Sequence, residues 1–400
     1  MLRPTPKLLR TSTTGWIGLG AMGRPMALNL FTKTYFAHQG SDTPPSLSQG
    51  GEKLNFLFCE QDDGRADSFV RDLRDRGGVE LAERVERVGS GKEMVQAAAK
   101  VFTMLPSTPQ VEAVYLDPVQ GILAGLQGLP GNTSDLPLVT APQPNVSGNT
   151  SQAVDEQLSS TTTLSSGPPP NNPHTLLIDQ TTLDPTVALA VSTRIHQETS
   201  HKALMVDAPV SGGTVGAEKG ELTIMFGSPS AVATELVVPL LQRMARAGGV
   251  VECGGNGTGV GVKVCNNLVL ACNQIALAEG LSLGHSLGID PSLLRSVIDT
   301  SSGSSWSSRI NPPISTLPNT PASRGYKGGF QTKLMLKDVG LALQAAHKHS
   351  LPTPLTWASK SVYEAVCEEG DGDWGAMDFS VVYEWIRKKQ RDGVEKGWKD

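Results

Sequence analysis

Apolar residues along the chain follow two rhythms. Between residues 15 and 227 they gather in short, nearly unbroken runs at 15–17, 54–59, 101–105, 176–178, 205–208 and 222–226. Segments with apolar residues at helical spacing separate them, at 26–31, 66–76, 91–99 and 185–195. Runs that are apolar on both faces and alternate with helices predict strands of a parallel sheet covered on both sides. A further short strand is expected near residues 79–81. From residue 256 onward the spacing is helical, with helices expected over 258–287, 291–298, 332–347, 354–368 and 379–389 and a loop around Trp306. This division predicts an α/β domain at residues 15–254 and an all-helical domain at 255–400.

The helix that opens the second half combines features that a plain core helix lacks. Thr258 is expected to cap its first turn. Lys263 and Asn267 stand one turn apart on one face, which Leu270 and Gln274 continue. Val260, Val262, Val264, Leu268, Val269, Ile275, Leu277 and Leu281 surround them, apolar on nearly every side, which predicts a helix buried between two bodies. Burial and the positive end of the helix both disfavour a charged lysine, leaving an amine that exchanges its proton near neutral pH. Taken alone, the pattern also fits a lysine that snorkels to solvent beside a structural asparagine.

The first strand runs through Gly18-Leu19-Gly20-Ala21-Met22-Gly23 into a helix. In such a turn Gly18 permits the tight bend, Gly20 lets the backbone approach a pyrophosphate, and Gly23 lets helix and strand pack closely. The second strand ends in Glu60, placed to accept the ribose hydroxyls of a dinucleotide and to repel a 2'-phosphate. NAD is therefore expected over NADP, with Arg65 as a cation that could reverse the preference. Glu60 lies farther from the glycines than the usual offset of about 20 residues. The excess falls in a Gly/Ser/Pro-rich stretch at 38–53, expected to be an inserted loop. Farther on, Ser211-Gly212-Gly213 offers a hydroxyl and successive amides that can cradle a carboxylate, or makes only a tight turn.

Composition changes this picture in four places. Residues 128–173 contain no Lys, Arg or aromatic residue and are rich in Pro, Ser, Thr and Asn, so they are expected to be a disordered insertion. The first 14 residues contain Arg3, Lys7 and Arg10 with several hydroxyls and no acid, the bias of a mitochondrial presequence or of a merely basic tail. A net charge of -5 argues against nucleic acid as a partner, and no uninterrupted apolar run of about 18 residues marks a membrane span. Cys59, Cys253, Cys265, Cys272 and Cys367 form no CxxC pair and are expected to be free thiols, with zinc not expected.

The motifs GLGAMG, TMLPST, LLIDQTTLDP, DAPVSGG, GTGVGVKVCNN and LKDVG occur in the order found in the β-hydroxyacid dehydrogenases, which the chain resembles over about residues 15–390 outside the two insertions. KVCNN, Ser301-Ser302-Gly303, Trp306-Ser307-Ser308 and Tyr326 to Phe330 resemble the branch that acts on 3-hydroxyisobutyrate. The resemblance implies an N-terminal Rossmann-type domain, a long interdomain helix, an all-α C-terminal domain, and a homo-oligomer, dimer or tetramer. It implies Lys263 as the catalytic lysine, Asn267 as the asparagine holding the substrate, and Ser211, Gly212 and Gly213 as the carboxylate loop. Leu105, Pro106, Gln110, Thr182 and Lys337 match positions that contact NAD, although asparagine is more usual at Gln110. The implied reaction oxidises a small 3-hydroxy acid with NAD and no metal, in the mitochondrial matrix or, alternatively, the cytoplasm. A glyoxylate or succinic-semialdehyde reductase using NADPH is the competing reading, opposed by Glu60. A 6-phosphogluconate dehydrogenase would need a histidine after Lys263 that is missing. A dinucleotide-binding interaction protein without catalysis is opposed by the intact Lys263 and Asn267.

Overall fold

The structure, a computed structural model, describes residues 10, 12–39, 54–129, 174–315 and 317–393. The expected insertions at 38–53 and 128–173 fall outside these residues except at their edges. There His38 and Gln39 complete the first helix, and Gly128 follows a short helix.

Six strands form a parallel sheet: β1 (Thr13–Ile17), β2 (Asn55–Cys59), β3 (Val85–Arg87), β4 (Lys100–Thr103), β5 (Thr175–Asp179) and β6 (Ala203–Asp207). Their order, β3-β2-β1-β4-β5-β6, reverses direction at β1, which leaves a crevice at the carboxyl edge between β1 and β4. β8 (Leu222–Gly227) pairs antiparallel with β6 and with β7 (Val210–Ser211), and β9 (Ala245–Gly254) runs parallel to β8. Strand residues alternate between two buried layers. Trp16, Phe56, Phe58, Phe102 and Ile178 face one, and Ile17, Leu57, Val101, Leu177 and Met205 face the other. Both layers are buried and apolar, which explains why the strands read as continuous apolar runs.

Helices cover both faces: α1 (Gly23–Gln39), α2 (Asp63–Ala82), α3 (Gly91–Ala97), α4 (Thr108–Leu116), α5 (Ile122–Gln127), α6 (Pro185–Glu198), α7 (Gly213–Lys219) and α8 (Ala231–Leu241). The strand expected near 79–81 is instead the end of α2, and the true strand lies just beyond at Val85–Arg87. The helix breaks its regular φ/ψ at Gly78 yet continues, with Leu81 buried on the core, so tertiary packing overrides the β-branched signal of Val79. Arg10 is also part of the fold. Its buried guanidinium donates to the carbonyls of Val95 (2.9 Å) and His174 (2.9 Å) and to the Thr175 hydroxyl. With Thr13 and Thr14 already in β1, the sheet begins inside the segment expected as a presequence.

The second half is α9 (Thr258–Ser286), α10 (Pro291–Thr300), α11 (Trp306–Ile310), α12 (Thr332–Lys348), α13 (Pro354–Glu368) and α14 (Val382–Arg391). The expected loop at Trp306 is helical, started by a reciprocal capping box between Ser305 and Ser308. Among the described residues α9 alone is long and apolar enough to span a membrane by composition. Here it acts as a core helix, with its first turns in the core of the sheet domain and Ala271, Ile275, Ala278 and Leu281 in that of the helical half. It is not buried all round as expected, since Val262, Val269 and Leu283 are 44%, 55% and 63% exposed along one stripe.

Candidate active site

The glycine turn closes between β1 and α1 as the spacing required. Gly18 has φ +95°, and a side chain there would strike the carbonyl of Met104; one at Gly23 would strike the carbonyl of Gly18. Gly20 is different: nothing lies within 4 Å of where its side chain would be. That open approach, beside a helix start, is the cradle a pyrophosphate needs. Ala21 is exposed and Met22 half-buried at the mouth of the turn, while Leu19 is anchored in the core. Glu60 folds back over the same turn. Its carboxylate accepts from the Leu19 amide (3.2 Å) and the Asp62 amide (3.0 Å) and pairs with the Arg65 guanidinium at 3.2 Å. Despite the long offset from the glycines, the acid therefore stands at the dinucleotide turn.

Across the crevice the other expected cofactor positions come together through two bonds. The Leu105 amide donates to the Thr181 hydroxyl (3.0 Å), and the Lys337 ammonium donates to the Thr182 carbonyl (2.9 Å), which ties α12 to the end of β5. Pro106 and Gln110 are exposed, and Gln110 is held by the hydroxyl of Ser107 rather than joined to this group. Ser211 pairs in register with Thr223, and Gly212 (φ +137°) and Gly213 (φ +62°) turn the chain into α7. Left-handed glycines in sequence let neighbouring amides converge on an anion.

Lys263 is buried, not snorkelling. Burial pushes its ammonium down to about 8, Asp338 opposing this and Lys337 adding to it. Asn267 is fully buried one turn on; its amide donates to Asp338 (2.6 Å), and its oxygen accepts from Asn266 (3.2 Å). Asp338 also pairs with Lys337 at 3.2 Å. An amine that changes charge near neutral pH, beside a fixed amide, can pass a proton to or from a bound hydroxyl.

Three acids outside the expected site organise it. Asp338 stands next to Lys337 on an amphipathic helix, where a solvated ion pair is the ordinary expectation, and the contact with α9 buries it instead. Asp207 and Asp179 end their strands in DAPVSGG and LLIDQTT, and a polar residue closing a buried strand was the one sign available. Asp207 accepts from the amides of Gly257 (2.7 Å) and Val260 (3.0 Å), so it caps α9 from 50 residues upstream. Thr258 does not cap; its hydroxyl donates to the Gly255 carbonyl instead.

Comparison with known proteins places this architecture. Residues 257–385 match the family model described as NAD-binding of NADP-dependent 3-hydroxyisobutyrate dehydrogenase, and residues 148–256 match the NAD binding domain of 6-phosphogluconate dehydrogenase. A probable mitochondrial 3-hydroxyisobutyrate dehydrogenase of Dictyostelium discoideum is 32% identical over 94% of this chain and 92% of its own length. An NAD-dependent L-serine dehydrogenase of Pseudomonas aeruginosa is 32% identical over 92% of this chain and 95% of its own. The solved 3-hydroxyisobutyrate dehydrogenase of Mycobacterium tuberculosis with L-serine superposes with a TM-score of 0.66 at 28% identity, covering 94% of this chain and 99% of that one. The chain belongs to the β-hydroxyacid dehydrogenase family, oxidoreductases built on an NAD-binding Rossmann-type domain and a helical C-terminal domain.

Proposed function

We propose that the protein oxidises the primary alcohol of 3-hydroxyisobutyrate to methylmalonate semialdehyde with NAD, a step of valine catabolism in the mitochondrial matrix. The observation that carries this reading is the buried Lys263, held at about 8 beside Asn267 and Asp338. Bound NAD would supply the hydride acceptor, held by the glycine turn, Glu60 and the Leu105, Pro106, Gln110, Thr182 and Lys337 group. Neutral Lys263 takes the hydroxyl proton at Nζ. The Asn267 amide, pinned by Asp338, orients the same oxygen, and the Ser211-Gly212-Gly213 loop holds the substrate carboxylate. Burial of both side chains keeps water from competing for the proton. A panel of 3-hydroxy acids assayed by NAD reduction tests the substrate. 3-Hydroxyisobutyrate should give the highest kcat/KM, and an inert response to it would end this reading.

A second reading is oxidation of L-serine, also a 3-hydroxy acid, with an amino group where 3-hydroxyisobutyrate has a methyl. Its support is the L-serine dehydrogenase similar along nearly its whole length and the related structure with L-serine. A kcat/KM for L-serine above that for 3-hydroxyisobutyrate would select it.

For the cofactor, the Glu60 carboxylate should repel a 2'-phosphate, although Arg65 offsets part of its charge. Glu60→Ser is expected to shift the kcat/KM ratio toward NADP by about tenfold, the size of one modest charge interaction. An unchanged ratio would mean that Arg65 or another group governs the choice.

Homo-oligomerisation is supported by α10, in which no residue is buried although Leu293 and Val297 project from it 59% and 50% exposed. They adjoin the exposed Leu283, Leu287 and Ile289 in sequence. Exposed apolar surface on this scale favours association. Light scattering should give a dimer or tetramer that Leu293→Asp with Val297→Asp dissociates; a monomeric wild type would remove the proposal.

A further inference from the structure

Asp179 and Asp207 stand side by side. They are register partners at the carboxyl ends of adjacent parallel strands, and both are buried. Burial pushes Asp179 up to about 6 and Asp207 upward as well, with Asp207 adding to the shift of Asp179. Two neighbouring acids at such a place cost stability, so the bonds that they make call for an explanation.

Each acid holds a different part of the crevice. Asp179 Oδ1 accepts from the Thr103 hydroxyl (2.8 Å) and from the Thr181 amide (3.1 Å), while the Thr103 hydroxyl also meets that of Tyr115 (2.9 Å). Thr181 in turn accepts from the Leu105 amide, and the next residue, Thr182, accepts from Lys337. Asp179 thus fixes the ends of β4 and β5, which lead into the expected NAD contacts at Leu105 and Thr182. Asp207 instead uses both oxygens, one for Gly257 and one for Val260, on a helix that has no side-chain cap of its own. Lys263 follows Val260 by three residues, and Ser211 follows Asp207 by four. The joint has no slack. A side chain at Gly227 would come within 2.6 Å of Asp207 Oδ1, and one at Gly259 within 2.9 Å of the Asp207 carbonyl.

We propose that the two acids are separate positioning residues: Asp179 sets the cofactor side of the site, and Asp207 sets Lys263 against the substrate loop. The inference rests on the reading of Lys263 as the proton-transfer group. It predicts a crossed pattern. Asp207→Asn keeps the size but can accept only one of the two helix amides. It should lower kcat about tenfold to a hundredfold, the penalty for a small misplacement of a reacting group, with the NAD dissociation constant within about twofold of wild type. Asp207→Glu keeps both acceptors but displaces the helix, and it should likewise lose kcat while still binding NAD. Asp179→Val removes the acceptor shared by Thr103 and Thr181. It should raise the NAD dissociation constant about tenfold, as expected for the loss of charge-assisted hydrogen bonds, and keep kcat at saturating NAD. Asp179→Asn keeps an accepting oxygen but loses the charge, so it should raise the NAD dissociation constant by less than Asp179→Val does.

The measurements are NAD titration by isothermal calorimetry and steady-state rates at saturating NAD, with Lys263→Ala in the same series. A merely structural role predicts that kcat and the active NAD-binding fraction fall together in every variant. That result, or wild-type kcat in either Asp207 variant, overturns the proposal. Wild-type turnover by Lys263→Ala would instead overturn the reading on which it rests.

Discussion

Lys263→Ala is expected to lower kcat by about two to four powers of ten, the usual contribution of a positioned proton-transfer group. NAD affinity should change little, because the cofactor positions lie mainly in the glycine turn and at Glu60. Lys263→Arg should fare almost as badly, since a guanidinium keeps the charge but does not give up its proton at working pH. If the arginine variant retains most of the wild-type kcat, Lys263 only neutralises the substrate carboxylate and the proton leaves by another route.

Stability gives an independent check. The Lys263 ammonium, at about 8 in the folded chain, lies below the ordinary lysine value of 10.5, so the native chain binds fewer protons than the unfolded chain between those pH values. The destabilisation is complete below pH 8 and fades as pH rises toward the unfolded value. Lys263→Met should therefore gain about 3 kcal/mol at neutral pH while losing activity, the signature of a residue kept for chemistry. A variant that is both less stable and fully active would contradict both the burial and the role.

The sequence makes the parallel strands legible because each is buried on both faces and too short to be mistaken for a helix. The glycine turn is legible because three glycines at fixed spacing serve distinct steric needs, as Gly18 and Gly23 bear out by the collisions that a side chain would cause. Lys263 and Asn267 are visible because a helix period aligns them. Whatever depends on contacts across long sequence separations is not visible. Asp207 reaches α9 across the sheet edge, so Thr258, the nearest hydroxyl, drew the cap assignment instead. Val79 carries a strand-like side chain, yet α2 continues through it because Leu81 and Ala82 dock on the core. The exposed stripe of α9 is not visible either, because hydrophobicity alone does not tell a core contact from an exposed one.

Asp338 should govern the pH at which the enzyme works. For alcohol oxidation Lys263 must be neutral, so kcat/KM should rise with pH and level off above about 8. Asp338 opposes the effect of burial by stabilising the ammonium, and Lys337 acts the other way. Asp338→Asn removes the stabilising charge and leaves Lys337 without its ion-pair partner, so both changes lower the lysine further. The rising limb should move to lower pH. Its plateau should stay near wild type, since the new side-chain oxygen can still accept from Asn267. Asp338→Ala differs, because the buried Asn267 amide then loses its 2.6 Å acceptor. Leaving a buried amide without its acceptor costs about 1–3 kcal/mol, so this variant should unfold at lower temperature, and its plateau should fall by roughly one to three powers of ten. The pH profiles of the two variants separate the roles. A limb unmoved in Asp338→Asn would mean that its charge does not reach Lys263, and an undiminished plateau in Asp338→Ala would mean that Asn267 is held in place without it.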